Sequence, residues 1–526
     1  MKFELFEENS SWMSCRVAND RLQQIPPQIL RFAQDDKVCG DWRTVCHELR
    51  ACGIRFHMPN IRRFALLFLV AVTAVGTALA QTRGPELAPT PPMGWNSWDA
   101  YGLTIDEADF KANVAVLAGI KEYGWKYAVI DEGWYLENPD GADTDSQKFV
   151  YDAHGRLIPA LNRFPDAANG AGLKPLAEWV HGQGLKFGIH LIRGVPRESA
   201  KRNVPIAGSK FTTAEAADTT DVCPWNKDNY GIRDNAAGQA WYDSMIGLYA
   251  GWGVDYLKVD CISDRPYKGS EIRQIAAAIK KTGRPIVLSL SPGPTHLEHA
   301  AEVGQYAQMW RISDDHWDVW SHEPKAGDKD GEFPFGTKQA FERLAAWQPY
   351  VKPGNWPDED MLPFGSLTPH PGWGEPRESR LTEDETRTEF TLWAITRSPL
   401  ILGANLTKMS PFLRGLVTNK ELLDMNQKVW ASHPVNALPA GFENVRVWEA
   451  SEEAYMNPPS FIALFNLDDK PVSLHATWAQ LGRPGKFESL DLFSGKKSPR
   501  SEAFEVTLPA HGSAIFRVED KLTPTR

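Results

Sequence analysis

From Pro91 onward, short apolar runs alternate with longer stretches whose apolar residues recur at helical spacing. The runs Tyr127–Ile130, Leu185–Ile189, Val254–Val259, Pro285–Leu290 and Met309–Ile312 read as buried strands. Between them lie amphipathic helices with start and stop signals. Thr104-x-x-Glu107 predicts a capping box ahead of Phe110, Val114 and Leu117, which share one face. Trp241, Met245, Leu248 and Trp252 form a second stripe, stopped by Gly253, and Ile272, Ile275 and Ile279 a third, ended by Gly283. Thr382-x-x-Glu385 opens a fourth, carrying Phe390 and Trp393. Such β–α alternation means parallel strands, and its span over residues 91–428 predicts an α/β fold, a (β/α)8 barrel with insertions. An open doubly wound sheet is the alternative, but no Gly-rich phosphate fingerprint follows any strand. Beyond about residue 430, VRVWEA, FIALFNL and FEVTLPA are strand-like and are separated by turns. A C-terminal antiparallel β-sandwich is expected over 429–526.

The N-terminal region breaks this pattern. Residues 58–81, MPNIRRFALLFLVAVTAVGTALAQ, have the charged start, short apolar run and small-residue Ala78-Leu79-Ala80 site of a secretory leader. The run is short for a membrane anchor, the rival reading. Residues 58–80 are therefore expected to be a signal peptide, with 81–90 a linker and secretion or periplasmic export the destination. Residues 1–57 show no sustained period and hold Cys15, Cys39, Cys46 and Cys52, four of the six cysteines. They are expected to be a disordered, non-native upstream extension; a genuine regulatory extension is the rival. Removal of the leader leaves Cys223 and Cys261, either disulfide-bonded or two isolated thiols. A net charge of -10 argues against a nucleic-acid surface. The 20 tryptophans suit stacking on sugar faces, or simply a dense core.

In a barrel, function collects at the C-terminal ends of the strands. Here those ends read MGWNSWDAY, VIDEGW, GIHLIRG, YLKVD, LSLSPGP, MWRISDDHW and NWPDEDML. Nearly every one finishes in carboxylates, a lysine, an arginine or tryptophan, more than structural ion pairs readily explain. Two carboxylates flanking a glycosidic bond are the minimum for sugar hydrolysis. Asp260 and Asp315, ending strands four and six, are the candidates. Lys258 lies one side-chain repeat before Asp260, on the same face, and its ammonium would keep that carboxylate ionised; a buried structural ion pair between the two is the plain alternative. Arg311, four before Asp315, could fork onto hydroxyls. Asp314 would face away from the cleft as a structural partner. No His/Cys cluster has metal-ligand spacing; His296 and His299 read as surface residues. Ser289-Leu290-Ser291 lacks a nucleophile elbow.

PPMGWNSW, WGVDYLKVD and WRISDD, each on the expected strand end and in order, resemble glycoside hydrolase family 27, the α-galactosidase and α-N-acetylgalactosaminidase family. The resemblance runs from about Thr90 to Thr407, with a compatible sandwich behind it. It implies that Asp260 is the nucleophile and Asp315 the acid/base of a retaining exo-α-galactosidase. It makes Lys258 and Arg311 hydroxyl ligands and Trp98 a pocket wall. Asp131 would bind outer hydroxyls, and Asp360 and Met361 would complete the pocket. The family uses no cofactor and no metal. The implied partner is a carbohydrate, with neither nucleic acid nor, after leader removal, membrane; oligomeric state is left open. Three positions depart from the family pattern. Glu132 replaces its second aspartate after strand two, and serves either as sugar ligand or as support. His190 replaces the tyrosine of its GIY motif, as a substrate contact or a structural residue. Ser289-Leu290-Ser291-Pro292-Gly293 replaces its CEW loop, which reads the 2-substituent and leaves Ser291 facing it. Cys223 falls near a family cysteine, and Cys261 is its implied partner. Another glycone (isomalto-dextranase, α-N-acetylgalactosaminidase or β-L-arabinopyranosidase) is the alternative within the family. A non-catalytic carbohydrate-binding protein is the alternative outside it.

Overall fold

Eight short strands, none longer than seven residues, form one parallel sheet: β1 (Met93–Asn96), β2 (Tyr127–Ile130), β3 (Lys186–Ile192), β4 (Tyr256–Asp260), β5 (Val287–Leu290), β6 (Met309–Arg311), β7 (Trp356–Asp358) and β8 (Leu400–Leu402). The computed structural model describes residues 87–139, 146–322, 334–368, 375–452 and 460–520, all within one unit spanning 85–526. The expected leader, the extension before it and linker residues 81–86 lie outside the described residues.

The strands pair in chain order from β1 to β7, and β8 pairs with β1. The ring is completed by one parallel bridge between Leu362, just past β7, and Leu402 at the end of β8. Almost every strand residue is buried, as expected where both faces are covered. Helices α1 (Glu107–Ala118), α2 (Lys174–Gly182), α3 (Ala236–Trp252), α4 (Gly269–Thr282), α5 (Ala300–Tyr306), α6 (Thr337–Trp347), α7 (Glu383–Thr396), α8 (Pro411–Val417) and α9 (Lys420–Lys428) connect and cover them.

The helix signals hold in three of four cases. Gly253 and Gly283 end α3 and α4 in the left-handed region, at φ +96° and +70°. Thr382 and Glu385 form the expected capping box on α7. Thr104 does not cap α1. The chain turns tightly over Gly102–Thr104, where the Thr104 hydroxyl donates back to the Tyr101 carbonyl. Asp106 takes the cap instead, accepting from the Asp109 N–H. Between β3 and α3 the chain builds a small three-stranded antiparallel sheet from Val195–Pro196, Ala217–Val222 and Asn229–Ile232. The segment just after its Ala217–Val222 edge strand reaches back to the barrel through a Cys223–Cys261 disulfide.

After α9 the chain enters the C-terminal strands β9 (Ala431–Pro434), β10 (Val445–Ser451), β11 (Ser460–Asn466), β12 (Val472–Thr477), β13 (Phe487–Asp491), β14 (Lys497–Ser501), β15 (Ala503–Leu508) and β16 (Ser513–Glu519). They form a six-stranded antiparallel sheet, β9-β10-β11-β16-β13-β14, and a β12-β15 pair. Side-chain alternation divides the labour. Val445, Val447, Ile462 and Leu464 pack into the sandwich with Leu474 and Leu508. Trp448, Phe461, Ala463 and Phe465 face the opposite way into the barrel's core, where Phe465 meets the Phe341 ring at 5.1 Å.

Candidate active site

Register determines which strand-end side chains meet. Across β3, β4 and β5, His190, Lys258 and Ser289 are level, and Asp260 stands one side-chain repeat above Lys258. Across β6 and β7, Arg311 is level with Asp358. Lys258, Ser291, Arg311, Asp360 and Met361 line one small cavity at the barrel mouth. Trp98, half-buried, packs on the apolar cluster that contains Met361. The remaining expected residues join through polar contacts.

Asp260 is 18% exposed. Its Oδ2 lies 3.1 Å from His190 Nε2, and its Oδ1 accepts from the Cys261 N–H at 2.8 Å. Burial opposes ionisation of this carboxyl. The His190 hydrogen bond and charge, the Lys258 ammonium and the Cys261 N–H together outweigh it, holding Asp260 below the ordinary carboxylate range. The partner thus differs from the expected one. Lys258 acts on Asp260 only through space; its own Nζ bonds Asp131 Oδ2 at 2.8 Å. His190 is the group in direct contact. Burial lowers the proton affinity of its imidazole, but the charge of Asp131, followed by the hydrogen bond and charge of Asp260, more than reverses this and raises it above that of a free imidazole.

Asp131 is 2% exposed and fully engaged. Its Oδ2 also accepts from Asn96 at 2.6 Å, and its Oδ1 from the Glu132 N–H at 2.8 Å. Burial would raise its pKa, but Lys258, His190 and the Glu132 N–H bring it down to about 2. Glu132 behaves oppositely. Burial, with Asp228, Asp260 and Asp131 nearby, pushes it up to about 8 against the opposing charge of His190. It is protonated at neutral pH, and its Oε1 accepts from Asn226 at 2.8 Å.

Asp315 is one-third exposed and faces Arg311 at 3.4 Å. Burial raises its proton affinity; Arg311 pulls back, and the carboxylates of Asp360, Asp314 and Asp260 push further, leaving it at about 7. Asp314 turns aside to Arg265 at 2.5 Å. Arg311 also grips Asp360 at 2.7 Å. Asp360 has φ +89°, rare for a residue with a side chain. Four contacts hold it there. Its N–H donates to Asp358 Oδ1, its Oδ2 accepts from the His316 N–H, Arg311 pairs with its Oδ1, and its carbonyl accepts from Trp393 Nε1.

Three acidic residues escaped sequence reasoning. Asp99 is buried, with one oxygen lacking a hydrogen-bond partner, and burial followed by the charge of Asp360 raises its pKa well above normal. Its Oδ2 presses on Gly403, where a Cβ would stand 1.7 Å away. Asp358 lines the cavity and is raised to about 6, chiefly by burial. Glu359, behind it, is raised to about 8 for the same reason. Asp358 and Asp360 are two apart on a strand end, a spacing that could have flagged both. Asp99 offered no such signal beside two tryptophans. Those tryptophans divide as well: Trp95 is core, its indole bonded to the Ala404 carbonyl, and only Trp98 stays half-buried at the site. Trp134 braces the His190 carbonyl from within the core. Among the described residues no group of three His, Cys, Asp or Glu is placed to hold a metal ion. The chemistry available is one carboxyl held below the ordinary range, Asp260, and another raised to about 7, Asp315.

The model of the alpha galactosidase A family matches residues 90–199 and 235–428, and that of the alpha galactosidase C-terminal beta sandwich domain matches 446–518. An α-galactosidase A from Cellvibrio japonicus is 26% identical over 472 residues, 86% of this chain and 98% of that one. An α-N-acetylgalactosaminidase from Gallus gallus is 27% identical over 438 residues, 78% and 88% of the two chains. The crystal structure of a GH27 β-L-arabinopyranosidase from Geobacillus stearothermophilus superposes with a TM-score of 0.76 at 38% identity. That alignment covers 84% of this chain and 98% of the other.

Proposed function

The chain belongs to glycoside hydrolase family 27, the alpha-galactosidase family, and on that premise we propose that it is a secreted retaining exo-glycosidase with Asp260 as nucleophile and Asp315 as acid/base. The observation that carries this reading is the opposed protonation of the two carboxyls. Asp260 is held ionised by His190 and Lys258, while Asp315 keeps its proton up to about pH 7. In the first step the Asp260 carboxylate attacks the anomeric carbon as Asp315 hands its proton to the leaving oxygen. In the second, Asp315 takes a proton from water, which attacks the glycosyl–Asp260 ester and frees the sugar with its original anomeric configuration. Lys258, Asp131, Arg311 and Asp360 form a charged wall that would exchange mutual contacts for sugar hydroxyls. The leader-like stretch over residues 58–80 and the Cys223–Cys261 bond support export.

The glycone we propose is a terminal α-D-galactosyl residue, in keeping with the family models and the Cellvibrio relative. A second reading has its own support: 38% identity to the β-L-arabinopyranosidase exceeds that to the α-galactosidase. β-L-Arabinopyranose is the α-D-galactose ring without its exocyclic CH2OH, and one set of ring-hydroxyl contacts serves both. A panel of aryl α-galactoside, N-acetyl-α-galactosaminide, β-L-arabinopyranoside and α-glucoside tests the assignment. Highest kcat/KM on α-galactoside is expected, and turnover of only another glycone would overturn it. Asp260→Asn should abolish turnover while sugar binding persists. An inverted anomer in the first product would remove Asp260 from the nucleophile's role.

A further inference from the structure

The tryptophans are mostly ballast for the core. Among the described residues nine indoles are fully buried, and several brace backbone carbonyls. Trp225 is different, with 48% of its surface exposed. It sits on the Cys223–Asp228 segment, between the Ala217–Val222 edge strand and the Asn229–Ile232 middle strand of the small inserted sheet, and that segment is tied to the site on both sides of it. Two residues before Trp225, Cys223 is bonded to Cys261, the neighbour of Asp260. One residue after it, Asn226 donates to Glu132 Oε1 at 2.8 Å. The segment that carries the exposed indole is thus anchored on both sides of Trp225, to the neighbour of Asp260 and to the neighbour of Asp131. Trp430, the other exposed tryptophan among the described residues, has no such tie; its N–H bonds the Ser451 carbonyl in the C-terminal sheet.

We infer that Trp225 is the stacking platform of an aglycone subsite, receiving the ring of the sugar to which the departing glycone is attached. An exo-acting pocket closed below by Lys258, Arg311 and Met361 leaves the aglycone only the mouth as its exit. There the groups it meets must tolerate water and still offer a face. A pyranose presents a patch of C–H groups that packs flat on an indole, while its hydroxyls remain solvated at the edges. The ligand class is therefore a saccharide, a galactosylated or arabinosylated oligomer, in preference to a small alcohol. This inference rests on the glycosidase reading above.

The test compares two substrates with the same glycone: the glycosyl fluoride, whose leaving group has no ring, and an oligosaccharide. In Trp225→Ala the ratio of kcat/KM on the oligosaccharide to that on the fluoride should fall about tenfold, carried mainly by KM. Trp225→Tyr, which keeps an aromatic face, should restore most of it. Circular dichroism checks that both exposed-site variants stay folded. An unchanged ratio in Trp225→Ala overturns the subsite. Failure of the wild type on the fluorides of both α-galactose and β-L-arabinopyranose instead overturns the glycosidase reading, and the subsite with it.

Discussion

His190 contacts the carboxylate proposed to attack the sugar, and replacing it tests how that carboxylate stays ionised. His190→Gln retains a donor of comparable reach in the 3.1 Å gap to Asp260 but removes the positive charge. The Gln amide still donates to the ionised carboxylate, so the loss is the through-space attraction of the imidazolium, about 1 kcal/mol for unit charges about 4 Å apart even with full water screening. At roughly 1.36 kcal/mol per unit this corresponds to about one pH unit. Since the wild-type Asp260 pKa is depressed, its acid limb in kcat/KM lies low, and the variant's should rise by about one unit. The basic limb should stay near pH 7, because the proton affinity of Asp315 is set chiefly by burial, Arg311 and the carboxylates of Asp360, Asp314 and Asp260. The assay is a pH profile of kcat/KM on an aryl glycoside, with circular dichroism confirming the fold. An acid limb that stays put in a folded variant would refute the argument, as would both limbs moving together.

Asp315→Asn should erase the basic limb near pH 7 and cost roughly 10²–10⁴ in kcat on sugar leaving groups, with azide restoring turnover of activated substrates as the glycosyl azide. Asp131→Asn strips buried Lys258 of its partner and should lower stability by about 3–5 kcal/mol in urea titrations. Because the folded Asp131 pKa is depressed to about 2, its contribution is full above the ordinary carboxylate value. It is lost as pH falls through 2, so the variant should show less acid-side dependence. Replacing Cys223 and Cys261 by serine opens a cross-link between residues 38 apart and should cost about 4 kcal/mol, again read in urea.

Much of this was legible in the chain because strand ends announce themselves. Apolar runs of four to six residues finishing in Asp, Lys or Arg mark both where a strand stops and which side chains face the mouth; Asp260, Lys258, Arg311 and Asp315 were found that way, while Asp360 came from the family resemblance. What could not be read was who pairs with whom. Spacing places Lys258 beside Asp260, but register brings the β3 residue His190 level with Lys258 and within reach of Asp260, leaving Lys258 to Asp131 on β2. Asp99 escaped because its carboxyl is selected by the close approach of Gly403, over 300 positions later. The capping box at Thr104 failed for a local reason: a tight turn consumed that hydroxyl before the helix began. The tryptophans had two open readings, and the dense-core one holds for most of them, since composition cannot separate a brace within the core from an exposed ring.

The bridge that completes the ring has a further consequence. Seven of the eight strand junctions are ladders of two or more residue pairs, whereas β7 and β8 meet through Leu362 and Leu402 alone. A cylinder so joined has a seam, and thermal breathing should concentrate there. Met361 and Gly403 flank it, so the wall that touches Asp99 and the cavity is also the stave best able to yield when a bulky sugar enters or a product leaves.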